Sequence, residues 1–405
     1  MSLVQKKYDF LIIGGGIIGL SLARELKKRH PQASCALIDK EKTCHAHASG
    51  RNSGVLHAGF YYSASSLKAR FCKLGHQLLK NYCEEQNIPV LTCGKLVVAK
   101  NEHELAGLNE LLRRAQANGV QLHLISKQEA EEIEPRALTF EKALFSPTTA
   151  CVDPIVVLQT LHREVQQQGV DVGMDTCYLH KTEDGIVTSK GKLQANFIIN
   201  AAGLYADQIA LDFGHSKSHR ILPFKGLYLY SSEPVGALRT HIYPVPDLNY
   251  PFLGVHFTLT HSGQVKIGPT AIPALWREQY QGLSGFKPHE FWDIIKRQAS
   301  LLWKAPFDFK KLAFEEMQKY LSCKMVKIAS HLVKDVHPSQ YRVWGKAGIR
   351  AQLLNISTNQ LETDFLIESD SHSLHILNAV SPGFTSALSF AQFVADRVEQ
   401  QLCCS

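Results

Sequence analysis

Four residues near the start of the chain have the types and spacing to do chemistry on a nucleotide: Gly14, Gly16, Gly19 and Asp39. The first three form G-x-G-x-x-G after an apolar run, YDFLII at 8–13, and before a helical pattern through Leu20, Leu22, Ala23 and Leu26. In that setting Gly14 allows a tight turn, Gly16 lets backbone approach a pyrophosphate, and Gly19 lets helix and strand pack closely. The helix start offers unpaired N–H groups and a positive dipole end to the phosphates. A second apolar strand, SCALI at 34–38, ends at Asp39, where a carboxylate is placed to accept hydrogen bonds from a ribose. The order of strand, turn, helix, strand and acid points to dinucleotide binding.

The elements that must position such a site follow from the rest of the chain. At 405 residues, with 45% hydrophobic and 20% charged residues, the chain has core material for two domains. A formal net charge of +7 without a dense basic block argues against nucleic-acid binding and permits attraction to anionic substrates or an anionic membrane face. The polar start leads directly into the first strand, and no run approaches the roughly 20 apolar residues of a membrane span. The expectation is a cytoplasmic protein whose membrane contact, if any, is peripheral. The ten cysteines are scattered without a C-x-x-C pair, which reads as reduced thiols. His45 and His47 lack companion ligands, so no metal site is expected.

Residues 43–62 are rich in small and hydrogen-bonding side chains and lack periodicity, as suits backbone passing close to a ligand. Residues 64–86 and 102–118 read as helices, and 94–99 as a strand. Asp153-Pro154 caps a helix that runs to about 168. A meander over 170–194 leads to a second buried strand, NFII at 196–199, entering the small-residue turn Asn200-Ala201-Ala202-Gly203. Alternating β segments occupy 222–273, helices 286–335, and a hairpin 365–377. Ser381-Pro382-Gly383-Phe384-Thr385 opens a last helix over 386–402. The pattern is an α/β nucleotide-binding domain interrupted by a mixed-β domain.

Five stretches together resemble the flavin-dependent family that includes D-amino-acid oxidase, glycine oxidase and glycerol-3-phosphate dehydrogenase: LIIGGGIIGLSLARELKK, SGRNSGVLHAGFYY, HIYPVPDLNYPFLGVHFTLT, GKAGIRAQL and NAVSPGFTSALSFA. The likeness is closest to the L-2-hydroxyglutarate dehydrogenase/oxidase branch. It implies FAD, and a Rossmann-like FAD-binding domain of the glutathione-reductase type interleaved with a substrate-binding domain. The expected boundaries are 1–90, 145–220 and 336–405 for the first, and 91–144 and 221–335 for the second. It further implies that Gly14, Gly16, Gly19, Asp39, Lys40, Ser49, Arg51, Asn52, Ser53, Gly54, Ala202, Gly203, Gly383, Phe384 and Thr385 line the cofactor. Arg51 stands where the branch usually has histidine, and Lys225 in Pro-Phe-Lys-Gly where arginine is common. Both keep or add positive charge.

The reaction so implied is oxidation of an L-2-hydroxy acid by hydride transfer to flavin N5, with electrons leaving to a quinone or to oxygen. A base must take the hydroxyl proton, and neutral imidazole suits that step. His57 and His256 compete for it, and the sequence does not rank them. Arg350 is the expected clamp on a substrate carboxylate, and Lys225 a second cation, with Tyr62 and Tyr243 as hydrogen-bond donors. The alternatives are an amino-acid or secondary-amine oxidase of the same fold, an NAD-dependent dehydrogenase, and a non-catalytic flavin-binding protein.

Overall fold

The structure is a computed structural model that describes residues 6–247, 252–305 and 309–403. The chain divides into two compact units. One is built from 1–52, 154–223 and 350–405, the other from 53–153 and 224–349.

The first unit is organised on strand Lys7–Ile13, whose inner residues are buried. It lies between two parallel neighbours. Cys35–Ile38 pairs on one side with Ile13 opposite Ile38, and Gly191–Asn200 on the other with Ile13 opposite Asn200. Strands buried on both faces read as continuous apolar runs, which is why CALI and FIIN show no alternation. Asp171–Gly173 extends the parallel sheet beyond Cys35–Ile38, so this segment leaves the expected meander. Only Tyr178–Thr182, Gly185–Thr188 and Gly191–Asn200 form the antiparallel meander. Helix Ile17–Arg29 covers the sheet and packs against Pro154–Gln167 and the last helix, Gly383–Cys403. Arg29 ties it to the last helix through Asp396 at 2.7 Å and Glu399 at 3.0 Å. The last helix starts at Gly383, not 386, because the Ser386 N–H already donates to the Pro382 carbonyl at 2.9 Å.

The second unit is an eight-stranded sheet. Its strands run in the order Tyr341–Trp344, Leu229–Ser231, Val265–Gly268, His256–Leu259, His241–Pro244, Lys95–Val98, Lys142–Ser146, His123–Ser126. The registers place Ile242 beside Leu96 and Phe257, and Phe257 beside Ile267. With the period of two along each strand, these residues share one face. There Leu96, Ile242, Phe257, Leu259, Val265 and Ile267 join Met325, Val326 and Ala329 of helix Ser322–Ala329 in an apolar core. The other face carries Lys95, His241, Tyr243, His256, Thr258 and Lys266. All six are buried.

The units part at different points from those expected. Residues 53–90 and 145–153, joined by the pairing of Val55–Leu56 with Ala150–Cys151, group by compactness with the second unit. Residues 336–349 join it too, because Tyr341–Trp344 pairs with Leu229–Ser231.

A Cβ at Gly19 would fall on the carbonyl oxygen of Gly14. Gly19→Ala is therefore expected to push helix Ile17–Arg29 off its strand and to cost roughly 1–3 kcal/mol. Thermal unfolding checks this, and an unchanged midpoint would mean that the helix separates from the strand freely.

Candidate active site

The first unit ends its central strands in a cradle. Gly14 has φ +114°, and a Cβ there would meet the Ala201 carbonyl oxygen. A Cβ at Gly16 would come 2.8 Å from Ser49 Oγ, an atom that accepts the Ile17 N–H at 3.0 Å. Helix Ile17–Arg29 has no side-chain cap on Gly16 and no acidic residue in its first turn, so its positive end is free of a resident carboxylate. Asp39 closes the second strand and accepts the Gly15 N–H at 2.6 Å and the Glu41 N–H at 2.8 Å. Burial raises its pKa while those bonds oppose the rise. The cradle lies at the carboxyl ends of parallel strands, beside the strand where the connection reverses, which is where nucleotides bind in such sheets. The residues fit FAD: Gly14 to Ile17 would hold the pyrophosphate and Asp39 a ribose.

The other expected cofactor residues are distributed less evenly. Asn200 Oδ1 accepts the Ala202 N–H at 3.1 Å, and Gly203, at φ +55°, opens the short turn Gly203–Tyr205. Lys40 is engaged with Glu41 and lies 5.4 Å from the Tyr205 ring centre. Arg51 Nε donates to the Ala46 carbonyl at 2.5 Å, and Asn52 Nδ2 to that of Ser49 at 2.6 Å. Both brace the loop that presents Ser49. Gly383, Phe384 and Thr385 form the first turn of the last helix, and a Cβ at Gly383 would meet open space. Ser53 and Gly54 lie in the second unit, where the Ser53 carbonyl takes a hydrogen bond from Lys266 Nζ at 3.4 Å and that of Gly54 one from the Val152 N–H at 3.0 Å.

The second unit gathers bases and cations on the polar face of its sheet. His256 is 4% exposed and stacks on Tyr243 with ring centres 3.7 Å apart. Its Nδ1 lies 2.9 Å from the Gly254 carbonyl oxygen. A carbonyl only accepts, so Nδ1 carries the proton and the neutral ring keeps its lone pair on Nε2. Burial, then the Lys95 charge, holds its pKa well below the ordinary 6.5. His57 follows strand Val55–Leu56 and is half-buried. The same two causes lower its pKa. The histidines that the sequence left unranked therefore share one cluster.

Lys95, which sequence reading passed over, sits at its centre. Its side chain is fully buried, and its Nζ is 4.4 Å from the ring centre of Tyr243, 5.2 Å from Tyr61 and 5.4 Å from Phe60. Among the described residues no hydrogen-bond partner meets that Nζ, nor the buried phenol oxygen of Tyr61. Burial brings the ammonium down to about 7. Lys266 is also buried, 4.6 Å over the Tyr228 ring, with its pKa lowered by burial to about 8. In VKIG a lysine sits between apolar residues and in KLVV one opens an apolar run, and a strand lysine reads as solvent-facing until its burial is seen. Lys225 is 5% exposed, and burial lowers its pKa. Tyr62 is half-buried. Arg350 falls in strand Gly348–Asn355 and, by compactness, in the first unit.

Comparisons with known proteins identify the family. The L-2-hydroxyglutarate dehydrogenase of Indibacter alkaliphilus is 36% identical, covering 96% of this chain and 98% of the relative. The mitochondrial L-2-hydroxyglutarate dehydrogenase of Nematostella vectensis is 35% identical, covering 98% and 91%. Among solved structures, the L-alpha-glycerophosphate oxidase of Mycoplasma pneumoniae, solved with FAD bound, matches with a TM-score of 0.76 at 22% identity, covering 98% of this chain and 95% of that one. Glycine oxidase from Geobacillus kaustophilus matches with a TM-score of 0.73 at 20% identity, covering 97% and 95%. Residues 9–397 match the family described as FAD dependent oxidoreductase, DAO, and the chain belongs to that family.

Proposed function

We propose that this enzyme oxidises L-2-hydroxyglutarate, or a closely related L-2-hydroxy diacid, to the 2-oxo acid, passing electrons to a quinone or to oxygen. The observation that carries the reading is the unpartnered ammonium of Lys95. A buried ammonium without a hydrogen-bond acceptor costs stability, and the thiols of Cys72 and Cys93, whose charge acts on it, make no hydrogen bond to it. An anionic substrate supplies what the fold leaves out. The relatives named L-2-hydroxyglutarate dehydrogenase support the diacid.

When bound, FAD would accept the hydride from the substrate's α-carbon. His256 takes the hydroxyl proton on Nε2, the nitrogen that its bond to Gly254 leaves bare. A substrate carboxylate at Lys95 offsets one of the charges that depress His256, so binding raises the basicity of the base it needs. Arg350 and Lys225 are the proposed further carboxylate contacts, with Tyr62 and Tyr243 donating to the substrate and His57 completing the basic cluster.

Anaerobic bleaching of the flavin by the L and not the D enantiomer of 2-hydroxyglutarate tests the reading. Bleaching by glycine or sarcosine, with ammonia or amine released, would replace it with the amine-oxidase alternative. His256→Gln is expected to slow flavin reduction by roughly 10²- to 10⁴-fold with FAD content unchanged. Lost FAD with normal reduction in the remainder would remove His256 from the chemistry.

Lys95 makes a prediction of opposite sign for stability. Between about 7 and the ordinary 10.5 the unfolded chain holds a proton on this lysine that the folded chain has lost. Its contribution therefore makes stability rise with pH across that window. Lys95→Met is expected to raise the thermal midpoint, most at pH 7 and below, and to flatten the rise. Substrate binding should weaken by roughly 10- to 100-fold. A less stable variant with normal substrate binding would sink this assignment.

Peripheral membrane contact is proposed for helices Pro288–Lys304 and Phe309–Gln318. No described helix is long and apolar enough to cross a membrane. Trp292, Trp303 and Phe314 are 68%, 80% and 68% exposed, and Lys310 Nζ lies 4.8 Å over the Trp303 ring. Exposed indoles beside lysines suit an anionic bilayer interface. Cosedimentation with phosphatidylglycerol vesicles should fall in the double variant Trp303→Ser and Phe314→Ser, and undiminished binding would exclude this face.

A further inference from the structure

We propose that Cys93 and Cys151 are a peroxide-sensitive thiol pair, in which Cys93 is the attacking thiolate, Cys151 the resolving thiol and His241 the group that holds the thiolate. The three ligand atoms lie within 4.8 Å of one another, Cys93 half-buried and the other two buried. A cluster of two thiols and an imidazole invites a metal reading, and the hydrogen bonds on His241 argue against it. The Leu259 N–H donates to His241 Nδ1 at 3.0 Å. An N–H only donates, so that nitrogen is bare and the ring proton sits on Nε2, which faces Cys93 Sγ at 3.3 Å. A metal ion would require Nε2 bare as well. What the ring offers instead is a donor to sulfur.

The thiols are differentiated accordingly. Hydrogen bonds from Cys151 and from His241 bring the Cys93 thiol down to about 5, with burial opposing them. The bond to Cys93, then burial, pushes Cys151 up. Such a pair has one nucleophile and one proton donor at neutral pH. The Cys93 thiolate attacks one peroxide oxygen, the O–O bond breaks, and the departing hydroxide takes a proton to become water, leaving Cys93 as a sulfenic acid. The Cys151 sulfur then attacks the Cys93 sulfur, losing its proton as the S–O bond breaks, and a second water leaves. Two thiols and one hydrogen peroxide thus become one disulfide and two waters.

The location couples oxidation to the site. Cys93 stands two residues before Lys95, and His241 two before Tyr243, which stacks on His256. Cys151 is the register partner of Val55, two residues before His57. Closing a sulfur–sulfur bond of about 2.05 Å shifts the strands that place these side chains. Displacements of about 1 Å cost catalysis roughly 100-fold. The pairing itself stands apart from the substrate assignment; its effect on activity rests on that reading.

The test uses the FAD-loaded full chain with Cys323, Cys403 and Cys404 replaced by serine, treated with graded hydrogen peroxide and then alkylated for peptide mass spectrometry. The expected product is a Cys93–Cys151 disulfide, reversed by dithiothreitol, with flavin reduction by L-2-hydroxyglutarate slowed in proportion. Cys151→Ser should trap Cys93 as a sulfenic acid that dimedone labels. Both thiols alkylated in full after peroxide would overturn the proposal. Formation of the disulfide in a protein that no hydroxy acid reduces would leave the thiol pair standing and refute the substrate reading.

Discussion

The second unit depends on a buried ammonium that meets no hydrogen-bond acceptor among the described residues. Taking a lysine out of water is among the more expensive things a fold does, and Lys95 Nζ sits over the aromatic rings of Tyr243, Tyr61 and Phe60. Ring quadrupoles recover part of the lost hydration and leave the three donors of the ammonium unspent. The result is a buried donor that an anionic group would complete. Burial first, and then the same charge, lowers the pKa values of His57 and His256.

That arrangement is affordable because the sheet separates its functions by face. Leu96, Ile242, Phe257 and Ile267 bury the stabilising apolar area against helix Ser322–Ala329. Lys95, Tyr243, His256 and Lys266 occupy the alternate positions of the same strands. A register slip of one residue would exchange the faces, so the apolar core fixes the site's geometry without entering it.

Legibility followed sequence distance. The nucleotide cradle was readable because Gly14, Gly16, Gly19 and Asp39 fall in one strand–helix–strand unit, where spacing alone implies geometry. The basic cluster is drawn from Val55–Leu56 and its following turn, Lys95–Val98, His241–Pro244, His256–Leu259 and Val265–Gly268. Pairing across such separations leaves no local trace, and His57 and His256 stood out through motif resemblance only. Lys95 and Lys266 were missed because a strand lysine reads as solvent-facing, and nothing local says that its face is covered. The grouping of 53–90 with the second unit by compactness had no local trace for a related reason, since the pairing of Val55–Leu56 with Ala150–Cys151 spans nearly a hundred residues.

His241 and His256 show how far the backbone, rather than residue type, decides chemistry. Both lie on the polar face of adjacent strands, and both are buried. At His256 a carbonyl, that of Gly254, meets Nδ1 and leaves Nε2 with a lone pair. At His241 an N–H, that of Leu259, meets Nδ1 and leaves Nε2 with a proton. One ring thereby presents a lone pair and the other a proton. Exchanging the two imidazoles' backbone partners would exchange their roles with no change in amino-acid identity, so the assignment of base and thiolate holder belongs to the strand geometry around Gly254 and Leu259.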